Sequence, residues 1–354
     1  MMMEMRDKPQ GPLCHLCPLR DRLHTFVPPQ LPRGKAKVVI VGEAPGVNEA
    51  TERKPFVGAS GRLLNSMLTN VGVRRDETFI TNVLHCQPLG NKLPDTDTAL
   101  DKALSCCKPI LDKELESQDA KVVLALGGTA LRAFTGFKSG ITSKRGAVYE
   151  VEGRAVIATV HPAALLRQSF MPINDVVKMV PREVVEADIK KAVTLTDKVG
   201  RGEEWRVEEE FVYNPPEYEV EEWLEEIKAK EASIAFDLET TRAQPGEAVP
   251  IIVSFASTSQ PSPVLCFSFD ERLESIVEVL ESPAPKICHN AIFDVAVLKS
   301  IGIETANYTF DTLYAHHLLY AELSHRLGFV QSIYTVTSEH KSMLKDEMLE
   351  SLDK

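Results

Sequence analysis

The chain has 354 residues, 44% of them hydrophobic and 26% charged, which is the balance of a globular protein and enough chain for two domains. No apolar run approaches the roughly 18 residues of a membrane span, and the opening MMMEMRDKPQGPLCHLC has no apolar leader segment, so neither a membrane span nor secretion is expected and a cytoplasmic location is. The net charge of −11 is uneven: residues 1–200 carry 28 Lys/Arg against 22 Asp/Glu, and residues 201–354 carry 12 against 29. The first part can meet a polyanion; the second can do so only through a local basic patch or bound cations.

In chain order, KAKVVIVG (35–42) is a β-branched apolar run and predicts a buried strand. GRLLNSMLTNVG has apolar residues at helical spacing and ends on Gly, so it predicts a helix. TFITNVL predicts a strand, TALDKALSCCKPIL a helix, AKVVLALGG a strand, and TALRAF a short helix. AVYEV and RAVIATVHP predict two more strands, and a helix over 182–197 closes the unit. Alternating strands and helices imply a sheet covered on both faces, with ligands at the carboxyl ends of the strands. Those ends carry Gly42 and Glu43, Asn82, Gly127 and His161.

A stretch with a Pro pair and eleven Glu between 201 and 230 predicts an acidic connector running into a surface helix. A second α/β unit follows from Ser233, with strands SIAFDL, VPIIVSFA and PVLCFSF, a helix near 271–281, strand KICH, and helices near 291–301 and 311–321. The expected division is therefore residues 1–198, a connector and helix over 199–231, and a second domain over 232–354.

Seven cysteines without a secretory leader point to metal or buried thiols rather than disulfides. Cys14 and Cys17 have C-x-x-C spacing, with Cys86 and the pair Cys106–Cys107 further on. A close pair plus two distant thiols can make a four-thiolate site, and thiolates alone do not separate zinc from iron–sulfur. The blocks around them are more specific. GEAPGVNEATERKPFVGASGRLL, TNVLHCQPLGNKLPDTD, CKPIL, VLALGGTAL and KRGAVYEVEGRAVIATVHPAALLR resemble, in order, the blocks of the iron–sulfur uracil-DNA glycosylases of family 4 type, over roughly residues 12–195. The resemblance implies a three-layer α/β/α domain and a [4Fe–4S] cluster on Cys14, Cys17, Cys86 and Cys107. Cys107 is preferred to Cys106 because the family thiol is followed by x-Pro; a longer interval from Cys86 leaves Cys106 open.

Uracil removal breaks the bond between N1 and the sugar through an oxocarbenium-like transition state with a departing uracil anion. The site needs a water-positioning or cation-stabilising group, donors for the anion, and a platform for the extruded base. Glu43, and second Glu49, lie on the loop that the resemblance assigns to water activation. Phe56 resembles the stacking aromatic. Asn82 carries a donor and an acceptor that can read uracil O4 and N3–H. His161 can donate to uracil O2. Gly42, Pro45, Gly46 and Gly58 let backbone come close to base and phosphate. Arg167 and the Lys144–Arg145 pair are phosphate candidates or plain surface charges.

In the second unit, Asp237 and Glu239 are two apart on a strand and so share a face, which implies a divalent cation. Asn290 and Asp294 are helical neighbours. FDLETT, HNAIFD and FDTLYAHHLL together resemble the 3′–5′ proofreading exonucleases with four acidic ligands, especially those of family A DNA polymerases. The resemblance spans roughly 232–345 and implies an RNase H-like α/β fold and two-metal hydrolysis with Mg2+ or Mn2+. Asp237, Glu239 and Asp294 match three ligands; Asp311 matches a helix-supporting position. No Tyr or His after 294 has an Asp at the offset of the fourth ligand, so the exonuclease domain is expected to be C-terminally incomplete. The two resemblances together imply uracil-containing DNA, single- or double-stranded, as partner. They also imply the front of a phage-type DNA polymerase whose polymerase domain is absent; a non-catalytic uracil- or DNA-binding module is the alternative.

Overall fold

In the computed structural model, residues 11–20, 23–138, 140–168, 180–205, 210–242, 244, 247–259, 262–321 and 323–335 are described. The chain divides into two compact units, residues 1–206 with 331–354, and residues 207–330.

The first unit contains β1 (Leu23–Phe26), β2 (Val38–Gly42), α1 (Val47–Glu52), α2 (Ala59–Asn70), β3 (Thr78–Asn82), β4 (Cys86–Pro88) and α3 (Asp97–Ser117). It continues with β5 (Val122–Leu126), α4 (Gly128–Thr135), α5 (Ile141–Lys144), β6 (Val148–Val151), β7 (Arg154–Thr159), α6 (Pro162–Gln168) and α7 (Arg182–Gly200). The main sheet has the order β3-β2-β5-β7-β6, parallel except for β6. β2, β3 and β5 are buried at every position, as parallel strands covered on both faces must be. Val39, Val41, Phe79, Val123, Ala125, Val156 and Ala158 share a core with Leu104, Leu111 and Leu115 of α3 and Leu131 of α4. The alternate residues Val38, Ile40, Leu124 and Ile157 are also fully covered and face the other way, where α7 packs against β2, β5 and β7. This is the expected three-layer α/β/α arrangement. β1 and β4 form a separate small antiparallel ladder, with Phe26 opposite Cys86.

α7 brings Asp188 into the interior, fully buried, where it accepts from Thr159 Oγ1 at 2.6 Å and from Arg145 Nε at 2.8 Å. Lys144 is also buried, its ammonium 4.2 Å from the centre of the Phe137 ring. The expectation that Lys144 and Arg145 could bind phosphate is therefore corrected: a guanidinium neutralised by an interior carboxylate fastens α7 to the sheet and offers nothing to DNA.

The second unit contains β8 (Phe211–Tyr213), α8 (Glu217–Ala229), β9 (Ile234–Thr240), β10 (Pro250–Ser257), β11 (Val264–Ser268), α9 (Leu273–Glu281), β12 (Lys286–Cys288), α10 (Ala291–Ser300), β13 (Tyr308–Asp311) and α11 (Thr312–Leu319). α12 (Leu327–Tyr334) runs through the boundary of the two units. The sheet order is β13-β12-β9-β10-β11-β8, with β9, β10 and β11 antiparallel and the outer pairs parallel. β9 alternates: Ile234, Phe236 and Leu238 are buried and Asp237 and Glu239 exposed. The stretch expected as a connector contributes structure here. β8 pairs with β11, and Val220, Trp223 and Ile227 of α8 lie in the core with the glutamates on the outer face; their i, i+3, i+7 spacing is the signal that the glutamate count masks.

Candidate active site and thiol cluster

The carboxyl ends of β2, β3, β5 and β7 converge as the sequence predicts. Gly42 and Asn82 are register partners. A Cβ on Gly42 would lie 2.5 Å from Asn82 Oδ1 and 2.5 Å from Phe56 Cζ, so glycine is what lets amide and ring meet there. Phe56 is buried and stacks on His161, with ring centroids 5.5 Å apart. Gly127, at φ +90, brings its backbone close beneath His161: a Cβ there would lie 3.0 Å from the His161 Cβ. Five of the sequence-predicted residues, Gly42, Phe56, Asn82, Gly127 and His161, therefore form one corner.

His161 Nδ1 accepts the backbone N–H of Ala163 at 3.1 Å. In a neutral ring this places the proton on Nε2. Burial pushes the His161 pKa down to about 4, with Arg167 acting in the same direction and Glu49 weakly against. The ring is neutral at pH 7 and has one N–H to donate.

The two glutamates of the first loop differ. Glu43, partly exposed, accepts from Thr129 Oγ1 at 2.5 Å through Oε2. Glu49 has both oxygens engaged by backbone: Oε2 by Gly46 N–H at 3.2 Å, and Oε1 by Val57 N–H at 3.1 Å and Gly58 N–H at 2.9 Å. Pro45 is buried at the bend and Gly46 caps α1. Gly58 begins α2. Thr129 and Arg75, whose guanidinium holds the Pro55 and Phe56 carbonyls, are not in the sequence-derived set. Thr129 follows a strand end, a position that could have been read; Arg75 is two elements away and carries no such signal.

Cys14 and Cys17 flank a short 3-10 turn, and α3 supplies Cys106 and Cys107. Burial raises the thiol pKa values of Cys17, Cys106 and Cys107, that of Cys107 to about 12, and the neighbouring sulfurs add to each shift. Backbone N–H groups of Leu19 and Arg20 address the Cys17 sulfur, and that of His85 addresses Cys107. Cys86 is buried at the start of β4, next to His85. Among the described residues, no three His, Cys, Asp or Glu side chains are arranged around one ion position. The donor chemistry nevertheless fits a cationic iron–sulfur group: sulfurs that repel when ionised, with amide donors already aimed at two of them.

In the second unit, Asp237 and Glu239 share the exposed face of β9, and Asp294 of α10 is buried beside them, accepting Leu238 N–H at 3.3 Å. Burial, with Asp237 nearby, pushes the Asp294 carboxyl up to about 6. Asp311 is occupied structurally. It accepts the N–H groups of Asn290 (3.1 Å), Ala291 (2.9 Å) and Leu313 (2.8 Å) and the Tyr308 hydroxyl (3.0 Å). Burial opposes its ionisation, but these donors win and hold its pKa below the usual range.

The sequence that builds these sites is similar to those of known proteins. Residues 28–187 match the uracil DNA glycosylase superfamily, and residues 214–347 match the 3′–5′ exonuclease family of DNA polymerase A type. The type-4 uracil-DNA glycosylase of Archaeoglobus fulgidus is 38% identical over 193 residues, covering 52% of this chain and 89% of that protein. That of Thermotoga maritima is 36% identical over 166 residues, covering 46% of this chain and 80% of its own. The DNA polymerase of Bacillus phage SP01 is 31% identical over 152 residues, which is 42% of this chain and 16% of the polymerase. The chain belongs to the type-4 uracil-DNA glycosylase family. Its first unit is a glycosidic hydrolase acting on uracil in DNA, and its second is a 3′–5′ exonuclease domain with an α/β fold. No helix among the described residues is long and apolar enough to cross a membrane.

Proposed function

We propose that the corner of Gly42, Phe56, Asn82 and His161 holds the extruded uracil and that Glu43 activates the attacking water. The observation that carries this is the neutral His161 ring with its proton on Nε2, beside a buried amide and an aromatic face. The Asn82 side chain donates to O4 and accepts from N3–H, a pattern cytosine cannot satisfy. As the C1′–N1 bond breaks, its electron pair passes to the uracil ring, and His161 Nε2–H stabilises the charge on O2. Water adds to C1′ and gives its proton to Glu43; the uracil anion is protonated from solvent. Glu43 is available for this role because Thr129 occupies one oxygen, whereas three amides occupy Glu49.

Cys14, Cys17, Cys86 and Cys107 would hold a [4Fe–4S] cluster. Bound there, the cluster would brace the segments carrying β4 and the residues before β1 without entering the chemistry. Two amide-addressed sulfurs, Cys17 and Cys107, support Cys107 over Cys106, which faces Lys102 instead. Asp237, Glu239 and Asp294 would bind Mg2+ or Mn2+ for the exonuclease chemistry, with no fourth carboxylate assigned among the described residues. The match to a phage polymerase supports a role beside a DNA polymerase domain, in the cytoplasm of a bacterial or phage-infected cell.

The test is incubation of the iron-loaded protein with single- and double-stranded oligonucleotides carrying one uracil, followed by alkali. Strand scission at the uracil, lost in Glu43→Gln and His161→Ala, is expected. Tight uracil-DNA binding without scission would instead make the unit a non-catalytic binding module.

A further inference from the structure

Phe56 has φ +52. A bulky side chain in the left-handed region is an outlier that persists only where its surroundings over-determine it. Two groups of opposite charge do so here. On the carbonyl side, Arg75 Nη1 donates to Phe56 O at 2.7 Å and Nη2 to Pro55 O at 2.5 Å. On the amide side, Glu49 Oε1 accepts from Val57 and Gly58 at 3.1 and 2.9 Å. The guanidinium is itself fixed, with Nε on Gln30 Oε1 at 2.7 Å and Nη1 also on Asn65 Oδ1 at 2.8 Å. The first turn of α2 closes the remaining side, since a Cβ on Gly61 would lie 1.9 Å from the Phe56 carbonyl oxygen.

We propose that Glu49 and Arg75 are a positioning pair that holds Phe56 in its strained conformation, so that the ring is presented as the base platform before DNA arrives. This rests on the reading of Phe56 as that platform. Neither charge touches the base. The pair acts by pre-organisation: the cost of the left-handed backbone is met in the folded protein rather than at the moment of binding. It also gives the second glutamate of the first loop a role unlike that of Glu43. Glu49 holds backbone, and Glu43 faces the reaction.

The experiment measures competitive inhibition by free uracil, and KM and kcat on a uracil-containing single-stranded oligonucleotide. Melting temperature and binding to a uracil-free oligonucleotide serve as controls. Arg75→Met is expected to weaken uracil inhibition by roughly tenfold or more, with uracil-free binding changed by no more than about twofold. Arg75→Lys is expected to fall between, because a point ammonium cannot grip two carbonyls as a planar fork does. Gly61→Ala, which displaces the same carbonyl from the opposite side, is expected to reproduce the defect. Glu49→Gln, which keeps an acceptor oxygen, is expected to lose less uracil affinity than Glu49→Ala. If Arg75→Met does not fold, Gln30→Ala loosens the guanidinium and carries the same measurement. Unchanged uracil inhibition in Arg75→Met or Gln30→Ala, alongside weakened inhibition in Phe56→Ala, overturns the pair alone. Unchanged inhibition in Phe56→Ala overturns the platform reading and the pair with it. A Glu49→Gln variant with abolished kcat and intact uracil inhibition overturns the positioning role in favour of water activation.

Discussion

Thr129 Oγ1 donates to Glu43 Oε2 at 2.5 Å across the gap between the carboxyl ends of β5 and β2. A hydrogen bond to one carboxylate oxygen fixes which oxygen remains for water. Thr129→Val is therefore expected to lower kcat by about 10- to 100-fold with little change in KM, because the bond orients the Glu43 carboxylate towards the attacking water and does not hold the substrate. Thr129→Ser keeps the donor and is expected to retain most of the rate. A wild-type kcat in Thr129→Val, with Glu43→Gln inactive, would remove Thr129 from the account while leaving Glu43 in it.

His161 sets a pH signature. Its pKa is pushed down to about 4 by burial, against about 6.5 in an unfolded chain. Between those values the unfolded state binds a proton that the folded state refuses. The His161 contribution to stability is thus unaffected above pH 6.5, worsens as pH falls through the window, and levels off below about 4. His161→Gln should show a shallower loss of melting temperature from pH 6.5 to 4.5 than the wild type. Activity should show no inflection near pH 6.5 from this ring. His161→Ala should lower kcat by roughly 100-fold or more, as the loss of one donor to a developing anion does.

The legible part of the molecule is where the chemistry is local. β2, β5 and β7 announce themselves because β-branched runs buried on both faces can be little else; Glu43 and His161 stand just past such runs and Asn82 closes β3. β1 and β4 are not legible in the sequence, because strands of four and three residues are too short to show a period. α8 is the surface helix the glutamates predict, but their number hides the Val220, Trp223 and Ile227 stripe that docks it on the core. Arg145 looked like an exposed cation because nothing nearby in sequence reveals Asp188, 43 residues on. The grip of Arg75 on Phe56 was invisible for the same reason, being a matter of side-chain reach between elements.

The thiols allow a direct choice between neighbours. Burial raises both thiols, and at Cys107 the His85 amide offsets part of the rise while Cys17, Cys14 and Cys106 add to it; at Cys106 the offset comes from the Lys102 charge. Cys14→Ala, Cys17→Ala, Cys86→Ala and Cys107→Ala are each expected to lose visible absorbance and most of roughly four irons per chain. Cys106→Ala is expected to keep both. Iron retained in Cys107→Ala and lost in Cys106→Ala would reverse the assignment; zinc in place of iron in the anaerobically purified protein would change the group itself.

The carboxylates of the second unit make opposite demands with and without a cation. Asp294 is 5% exposed, close enough to Asp237 for the two charges to repel, and only partly compensated by backbone amides, that of Leu238 at a long 3.3 Å and its own. In metal-free protein, Asp294→Asn should therefore stabilise the second unit, by about 1 kcal/mol or more, since it removes a buried like-charge pair while keeping the volume. Mn2+ should raise the melting temperature of the wild type through binding to the native state alone, and should do so much less in Asp237→Asn or Asp294→Asn. Metal binding is not yet hydrolysis. Two-metal chemistry needs both ions held in register, and the proposed ligands among the described residues, Asp237, Glu239 and Asp294, would hold them less firmly than four carboxylates. Digestion of single-stranded DNA by this chain should accordingly be weak at saturating Mn2+. Vigorous digestion abolished by Asp237→Ala would mean that a water or another side chain serves in place of the fourth carboxylate.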